Sequence, residues 1–175
     1  MVSVYNNTGS LLLSERTGSN PDTVTGDWKI TVSLPSNRNN KGTLTLYNCR
    51  GNSVSSFECL GRSVSNDAMT VTNGNTPTGT YTGYLDGPSS PSSSYGPYKV
   101  VNMTGISGII KTSGRSGIWI HGGDPETDKT KSWHPLRPTH GCVRISNTNQ
   151  NTLQNKIENL INNSFHNKIG NIAIS

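Results

Sequence analysis

The stretch Trp28-Lys29-Ile30-Thr31-Val32-Ser33-Leu34, closed by Pro35, alternates apolar and polar residues. Successive strand side chains point to opposite faces, so the pattern predicts a half-buried β-strand with Trp28, Ile30, Val32 and Leu34 inward. Proline has no N–H for the ladder and ends it. Outward from this strand, short apolar runs recur between turn residues. Thr43 to Cys49 and Val54 to Leu60 flank Arg50-Gly51-Asn52-Ser53, which predicts a hairpin. With Gly51 and Asn52 as the loop residues, Cys49 faces Val54 and Cys59 faces Leu44, about 17 Å apart along the ladder. A disulfide tolerates Cα separations of about 7 Å at most, so these two cysteines are not expected to bridge. Val100, Val101 and Ile118 to Ile120 read as further buried strands, the last ending at His121. A single helix is expected where Leu153, Ile157, Leu160 and Ile161 recur at helical spacing after the candidate caps Ser146, Asn147 and Thr148. Ile172 and Ile174 then share one face of a final strand.

Composition agrees with a mostly β chain. Only 30% of the 175 residues are hydrophobic, with 19 Gly and 9 Pro, and mean hydropathy is −0.55. That balance favours short strands and turns over helices. The length suits one domain over residues 1–175, with 1–27 as an extra N-terminal strand pair. No apolar run exceeds three residues, as at Leu11 to Leu13, far short of the roughly 20 residues a membrane span needs. No signal-peptide pattern follows Met1; such a segment was removed, or export takes another route, or the protein stays inside. The net charge of +5 and pI near 9.2 favour an anionic partner. With no basic run and no helix-turn-helix, zinc-finger or RNA-binding pattern, nucleic acid is not expected, and an anionic wall polymer fits equally well. Pro88-Ser89-Ser90-Pro91-Ser92-Ser93-Ser94-Tyr95-Gly96-Pro97 has no apolar period and reads as an exposed, mobile surface flap near a site.

The chemistry concentrates between Gly117 and Ser146, which hold three of the four histidines and the third cysteine. Thr139-His140-Gly141-Cys142-Val143-Arg144 begins after 17 residues beyond His121. A cysteine just before an expected helix would have its thiolate favoured by free N–H groups and the positive dipole end. The adjacent glycine admits a substrate close to the backbone, whose amides would stabilise an oxyanion. A cysteine nucleophile needs a proton acceptor. His121, on a rigid strand end, has the Gly122 carbonyl available to orient its second ring nitrogen. His140 lies two residues from Cys142. Spacing alone leaves open which histidine is the base.

These residues resemble the L,D-transpeptidase catalytic domain, the YkuD family: a His, 14 to 17 residues, then Ser or Thr, His, Gly, Cys, an apolar residue, and Asn or Arg. Thr76-Pro77-Thr78-Gly79-Thr80-Tyr81 is similar to a second segment of that family, Thr-Pro-x-Gly-x-aromatic. The resemblance covers Gly42 to Ser175. It implies a β-sandwich or barrel with one helix in the C-terminal region, acting on peptidoglycan stem peptides at the bond between a diamino acid and D-Ala. D-Ala leaves and a thioester remains; a second stem amine then gives a 3-3 cross-link, a free D-amino acid gives exchange, and water gives carboxypeptidase action. Cys142 would be the nucleophile and His121 the base, oriented by Gly122. His140 would support the site, and the amides of Gly141 and Cys142 would donate to the oxyanion. Arg144 would hold the loop or a substrate carboxylate, and Thr139 and Trp119 would contact substrate. No metal and no organic cofactor are implied, and the location would be the periplasm or cell wall. Trp133-His134-Pro135-Leu136-Arg137-Pro138 is a bulkier approach than the family pattern, which would narrow the cleft.

Other readings compete. Cys142 as an inert buried thiol would leave a non-catalytic wall-binding β domain, and a carboxypeptidase-type toxin delivered by a secretion machine would share the chemistry. A zinc site on His121, His140 and Cys142 lacks paired ligand spacings. A sortase nucleophile follows a strand end of Thr-Leu-x-Thr type, absent here. Asp124, Glu126 and Asp128 read as a solvated turn. His134 reads as a loop residue and His166 as a surface one, neither with a role, and alternation makes Trp119 equally a core residue.

Overall fold

The computed structural model describes residues 3–5, 11–14, 26–163 and 166–175. Strands β1 (Ser3–Tyr5) and β2 (Leu11–Ser14) pair antiparallel as a two-stranded sheet. The main sheet holds β3 (Lys29–Ser33), β4 (Gly42–Tyr47), β5 (Ser53–Cys59), β6 (Gly79–Asp86), β7 (Val100–Ser107), β8 (Ile118–His121), β9 (Val143–Arg144) and β10 (Gly170–Ile174), in the order β5-β4-β3-β10-β6-β7-β8-β9. Its two ends meet. Leu60, directly after β5, exchanges both backbone hydrogen bonds with Arg144 of β9, each 2.9 Å. The sheet thus closes into a barrel, which removes its open edges.

Alternation holds in β3, where Ile30 and Val32 are buried and Lys29 and Ser33 are exposed. Trp28, Leu44, Leu46, Tyr81, Ile118, Ile120 and Ile172 join them inside. Each such aliphatic side chain, fully buried, contributes about 1.5–3 kcal/mol of transfer free energy. Helix α3 (Asn147–Asn162) buries Gln150, Leu153 and Ile157, and its N-cap Ser146 accepts from Asn149 N–H.

The β4–β5 hairpin departs from its expected register. Asn48 Oδ1 accepts from Arg50 N–H and Asn52 N–H, so the side chain builds a longer loop at 48–52. Cys59 therefore faces Gly42 rather than Leu44, and Cys49 sits in the loop at the opposite end. The flap also gains order: α1 (Ser92–Tyr95) is one helical turn within it. A second single turn, α2 (Ile109–Thr112), follows β7. His166 is half-buried rather than a bare surface residue, because Nε2 accepts from Cys49 N–H at 2.9 Å. Among the described residues no helix is long and apolar enough to cross a membrane.

Candidate active site

Three adjoining elements build the site. β8 ends in His121, β9 begins just after Cys142, and the two strands run parallel with His121 opposite Arg144. Barrel closure fixes the approach to Cys142 from the other side, since Val64 N–H donates to the Thr139 carbonyl and Thr139 N–H to the Arg62 carbonyl. The Cys142 carbonyl accepts from Thr76 Oγ1 at 3.0 Å and Thr139 Oγ1 at 2.9 Å. The segment Thr76 to Tyr81 is thus the second support of the cysteine loop. Tyr81 Oη, donating to the Pro77 carbonyl at 2.6 Å, ties that segment to the barrel. Gly79, at φ +142°, lies where a Cβ would strike the Ser107 carbonyl, so neither the conformation nor the space admits a side chain.

Cys142 and His121 open on one cleft of about 1080 Å³, together with Trp119, Tyr95, Thr139 and His140. Cys142 Sγ receives Trp119 N–H at 3.4 Å and lies 3.6 Å from the Gly117 carbonyl, an acceptor for the thiol proton. The His121 Nδ1 is 2.6 Å from the Gly122 carbonyl. A carbonyl can only accept, so Nδ1 carries the proton and Nε2 is left as the basic atom. Tyr95 packs between two cleft rings, 5.2 Å from the ring of Trp119 and 5.2 Å, edge-on, from that of His121.

Burial pushes the Cys142 thiol up, against the opposing pull of Trp119 N–H and of Arg144 and Arg115. Burial likewise lowers His121 to about 4, helped by the Arg144 charge. The expectation of a thiolate favoured by a helix is therefore corrected. Cys142 leads into β9, and α3 starts only at Asn147, so dipole and free amides lie beyond the sulfur. Both shifts favour the neutral thiol and neutral imidazole over an ion pair.

Other expected roles shift as well. Arg144 is only 3% exposed, and its guanidinium donates to the carbonyls of Gly122, Ser94 and Arg137. It holds backbone, the first of the two roles expected of it, and it also lines the cleft. Thr139 Oγ1 donates to the Cys142 carbonyl and accepts Gly141 N–H at 3.1 Å, so its hydroxyl is engaged within the loop while the residue lines the cleft. The same bond engages Gly141 N–H, the second amide expected at an oxyanion. Gly141 has φ +114°, and a Cβ there would collide with the Arg115 guanidinium. His140 is exposed, and its carbonyl accepts from Arg115 Nη2 at 3.2 Å. Trp119 is half-buried on the cleft rather than in the core. Asp124 and Asp128 are exposed in a turn, and among the described residues no cluster of His, Cys, Asp or Glu could hold a metal ion.

Several contributors escape sequence reasoning. Arg115 staples the cysteine loop to the 69–75 segment through the carbonyls of Met69, Gly74 and Asn75 as well as His140. Tyr95 and the carbonyls of Ser93 and Ser94 come from the flap. Gln150 Nε2 donates to the carbonyls of Tyr95, Tyr98 and Lys99, and Asn147 Oδ1 accepts Gly123 N–H, so the first turn of α3 grips both flap and base loop. Gln150 carried one signal: it is a polar residue three positions before Leu153 on the buried stripe.

The barrel and this cleft are accompanied by a match of the YkuD family, the L,D-transpeptidase catalytic domain, over residues 22–160. The chain belongs to that family, whose members act on peptidoglycan stem peptides. No curated protein matches it. Similar solved structures include Bd1075 of Bdellovibrio bacteriovorus, at 18% identity and TM-score 0.48, covering 86% of this chain and 48% of that one. The helical cell shape determining protein Pgp2 of Campylobacter jejuni is 17% identical, with TM-score 0.48 and coverage of 85% and 48%. L,D-transpeptidase 1 of Mycobacterium tuberculosis is 13% identical, with TM-score 0.42 and coverage of 85% and 61%. The chain thus spans about half the length of the first two.

Proposed function

We propose that this chain is a cysteine acyltransferase acting on peptidoglycan stem peptides, working in the periplasm or cell wall where that polymer lies. The observation that carries the reading is the placing of Cys142 Sγ on the same cleft as a buried imidazole whose Nδ1 is fixed by the Gly122 carbonyl. In this reading His121 Nε2 takes the thiol proton as Sγ attacks the carbonyl carbon of the diamino acid. On the same reading the Cys142 amide supplies the oxyanion donor, Gly141 N–H being engaged by Thr139 Oγ1. The C–N bond then breaks, His121 returns the proton to the departing amine of D-Ala, and a thioester to Cys142 remains. A second stem amine, a D-amino acid or water attacks that thioester, His121 again moving the proton. Generating the thiolate only during attack suits a pair whose shifts favour the neutral forms.

The test is mass spectrometry of purified, reduced disaccharide tetrapeptide after incubation with the protein or with Cys142→Ala. A Cys142-dependent dimer lacking one D-Ala establishes transpeptidation, and tripeptide alone establishes carboxypeptidase action. Substrate left intact by the wild type, with and without added D-amino acid, removes the acyltransferase reading in favour of a binding module.

A further inference from the structure

The motif arginine, Arg144, is enclosed by three backbone carbonyls, which leaves unanswered what meets the negative charge of a stem peptide. Of the other cations on the cleft, Lys131 pairs with Asp128 at 3.7 Å. Arg62 stacks 4.2 Å over the Trp133 ring, with Nε on Asn39 and Nη1 on the Ser63 and Val64 carbonyls. Arg137 differs from both. Among the described residues its guanidinium makes one hydrogen bond, Nη2 to the Ser93 carbonyl at 2.9 Å, and no ion pair. Nε and Nη1 remain for a ligand.

The position of Arg137 is defined on three sides. Its own carbonyl is held by Arg144 Nε at 3.0 Å, its Nη2 rests on Ser93, and two residues along the flap Tyr95 lies edge-on to His121. Arg137 therefore flanks the imidazole, and its charge contributes to lowering both His121 and Arg144. Two guanidinium groups stand beside one base; the charge of Asp124 reaches Arg144, none is shown to reach Arg137, and among the described residues neither guanidinium forms an ion pair, so an anion is favoured beside Arg137.

Reaction geometry says which anion. The group that protonates a departing amine lies within about 3 Å of that nitrogen. On a C-terminal amino acid the carboxylate is separated from the nitrogen by a single carbon. A residue flanking the base thus meets the carboxylate of the leaving residue. We infer that Arg137 binds the terminal carboxylate of the departing D-amino acid. The inference rests on the acyltransferase reading proposed above.

The experiment compares a disaccharide tetrapeptide with its C-terminal amide, by binding to Cys142→Ala and by turnover with the wild type. The acid is expected to bind roughly tenfold or more tighter than the amide, since charge-assisted bonds to a carboxylate are stronger than those to a neutral amide. Adding Arg137→Ala brings the acid down to the level of the amide, and Arg137→Lys keeps part of the preference, which a merely structural role for the side chain would not produce. Equal binding of acid and amide, or an unchanged preference in Arg137→Ala, overturns the inference. Cys142-dependent turnover of both substrates at equal efficiency overturns it while leaving the acyltransferase standing. Absence of both binding and turnover removes the two together. The wild-type comparison needs no variant to fold.

Discussion

At the scale of single residues, Cys142 and His121 are displaced in opposite directions toward the same electrical state. Burial raises the thiol, and burial with the Arg144 charge lowers the imidazole to about 4. An acid whose pKa rises loses its anion, and a base whose pKa falls loses its cation, so an ion pair is disfavoured twice. Alkylation follows the thiolate. The iodoacetamide rate at Cys142, followed by peptide mass spectrometry, is therefore expected to be slow at pH 6 and to rise through an inflection above the ordinary thiol value of about 8.5. Substrate acylation has a different acid limb, because it needs only neutral His121 and should persist down to about pH 5, failing as pH approaches 4. An alkylation rate already level below pH 7 would mean a resting ion pair and overturn this account.

At the scale of elements, α3 does more than fill the core. Its first turn carries Gln150, which is 2% exposed and satisfies three carbonyls between Tyr95 and Lys99. Gln150→Ala leaves those carbonyls short of a donor in a buried setting, a loss of about 2–3 kcal/mol expected in urea denaturation. Because the same carbonyls anchor the turn that lays Tyr95 on His121, kcat should fall as well, whereas Ser146→Ala, removing only the cap, should cost about 1 kcal/mol. Equal effects of the two variants on kcat would show that the flap does not depend on Gln150. The elements themselves were legible where a period exists: alternation gave β3, and the spacing of Leu153 and Ile157 gave α3. The register of β4 against β5 was not, because Asn48 substitutes its side chain for backbone in the turn. Nor was the order of the flap, whose serine-rich sequence has no period and whose carbonyls are gripped by Arg137, Arg144 and Gln150 from 44 to 55 residues away.

At the scale of the whole molecule, closure of the barrel decides what the sequence could not. The spacing from His121 to Cys142 marked both residues, since each lies at its own strand end and needs only the β8–β9 pairing to line one cleft. Whether Arg144 faces solvent or backbone depends instead on the Ser94 and Arg137 carbonyls, contacts that no local pattern encodes. The same closure gathers Arg62, Lys131 and Arg137 around one cleft, where Glu126 is the sole carboxylate in the lining among the described residues, on a chain of net charge +5. A cleft of one sign concentrates ligands of the other, and salt weakens the attraction by shortening the screening length from about 30 Å at 0.01 M to about 3 Å at 1 M. Across that range KM for an anionic stem peptide is expected to rise roughly three- to tenfold with kcat little changed, because encounter is screened while the enclosed Cys142–His121 pair is not. A stem with its carboxylates amidated should change less than about twofold. Steady-state kinetics on the two substrates separates the cases: an equal rise for both would place the salt effect in the fold rather than in the field of the cleft.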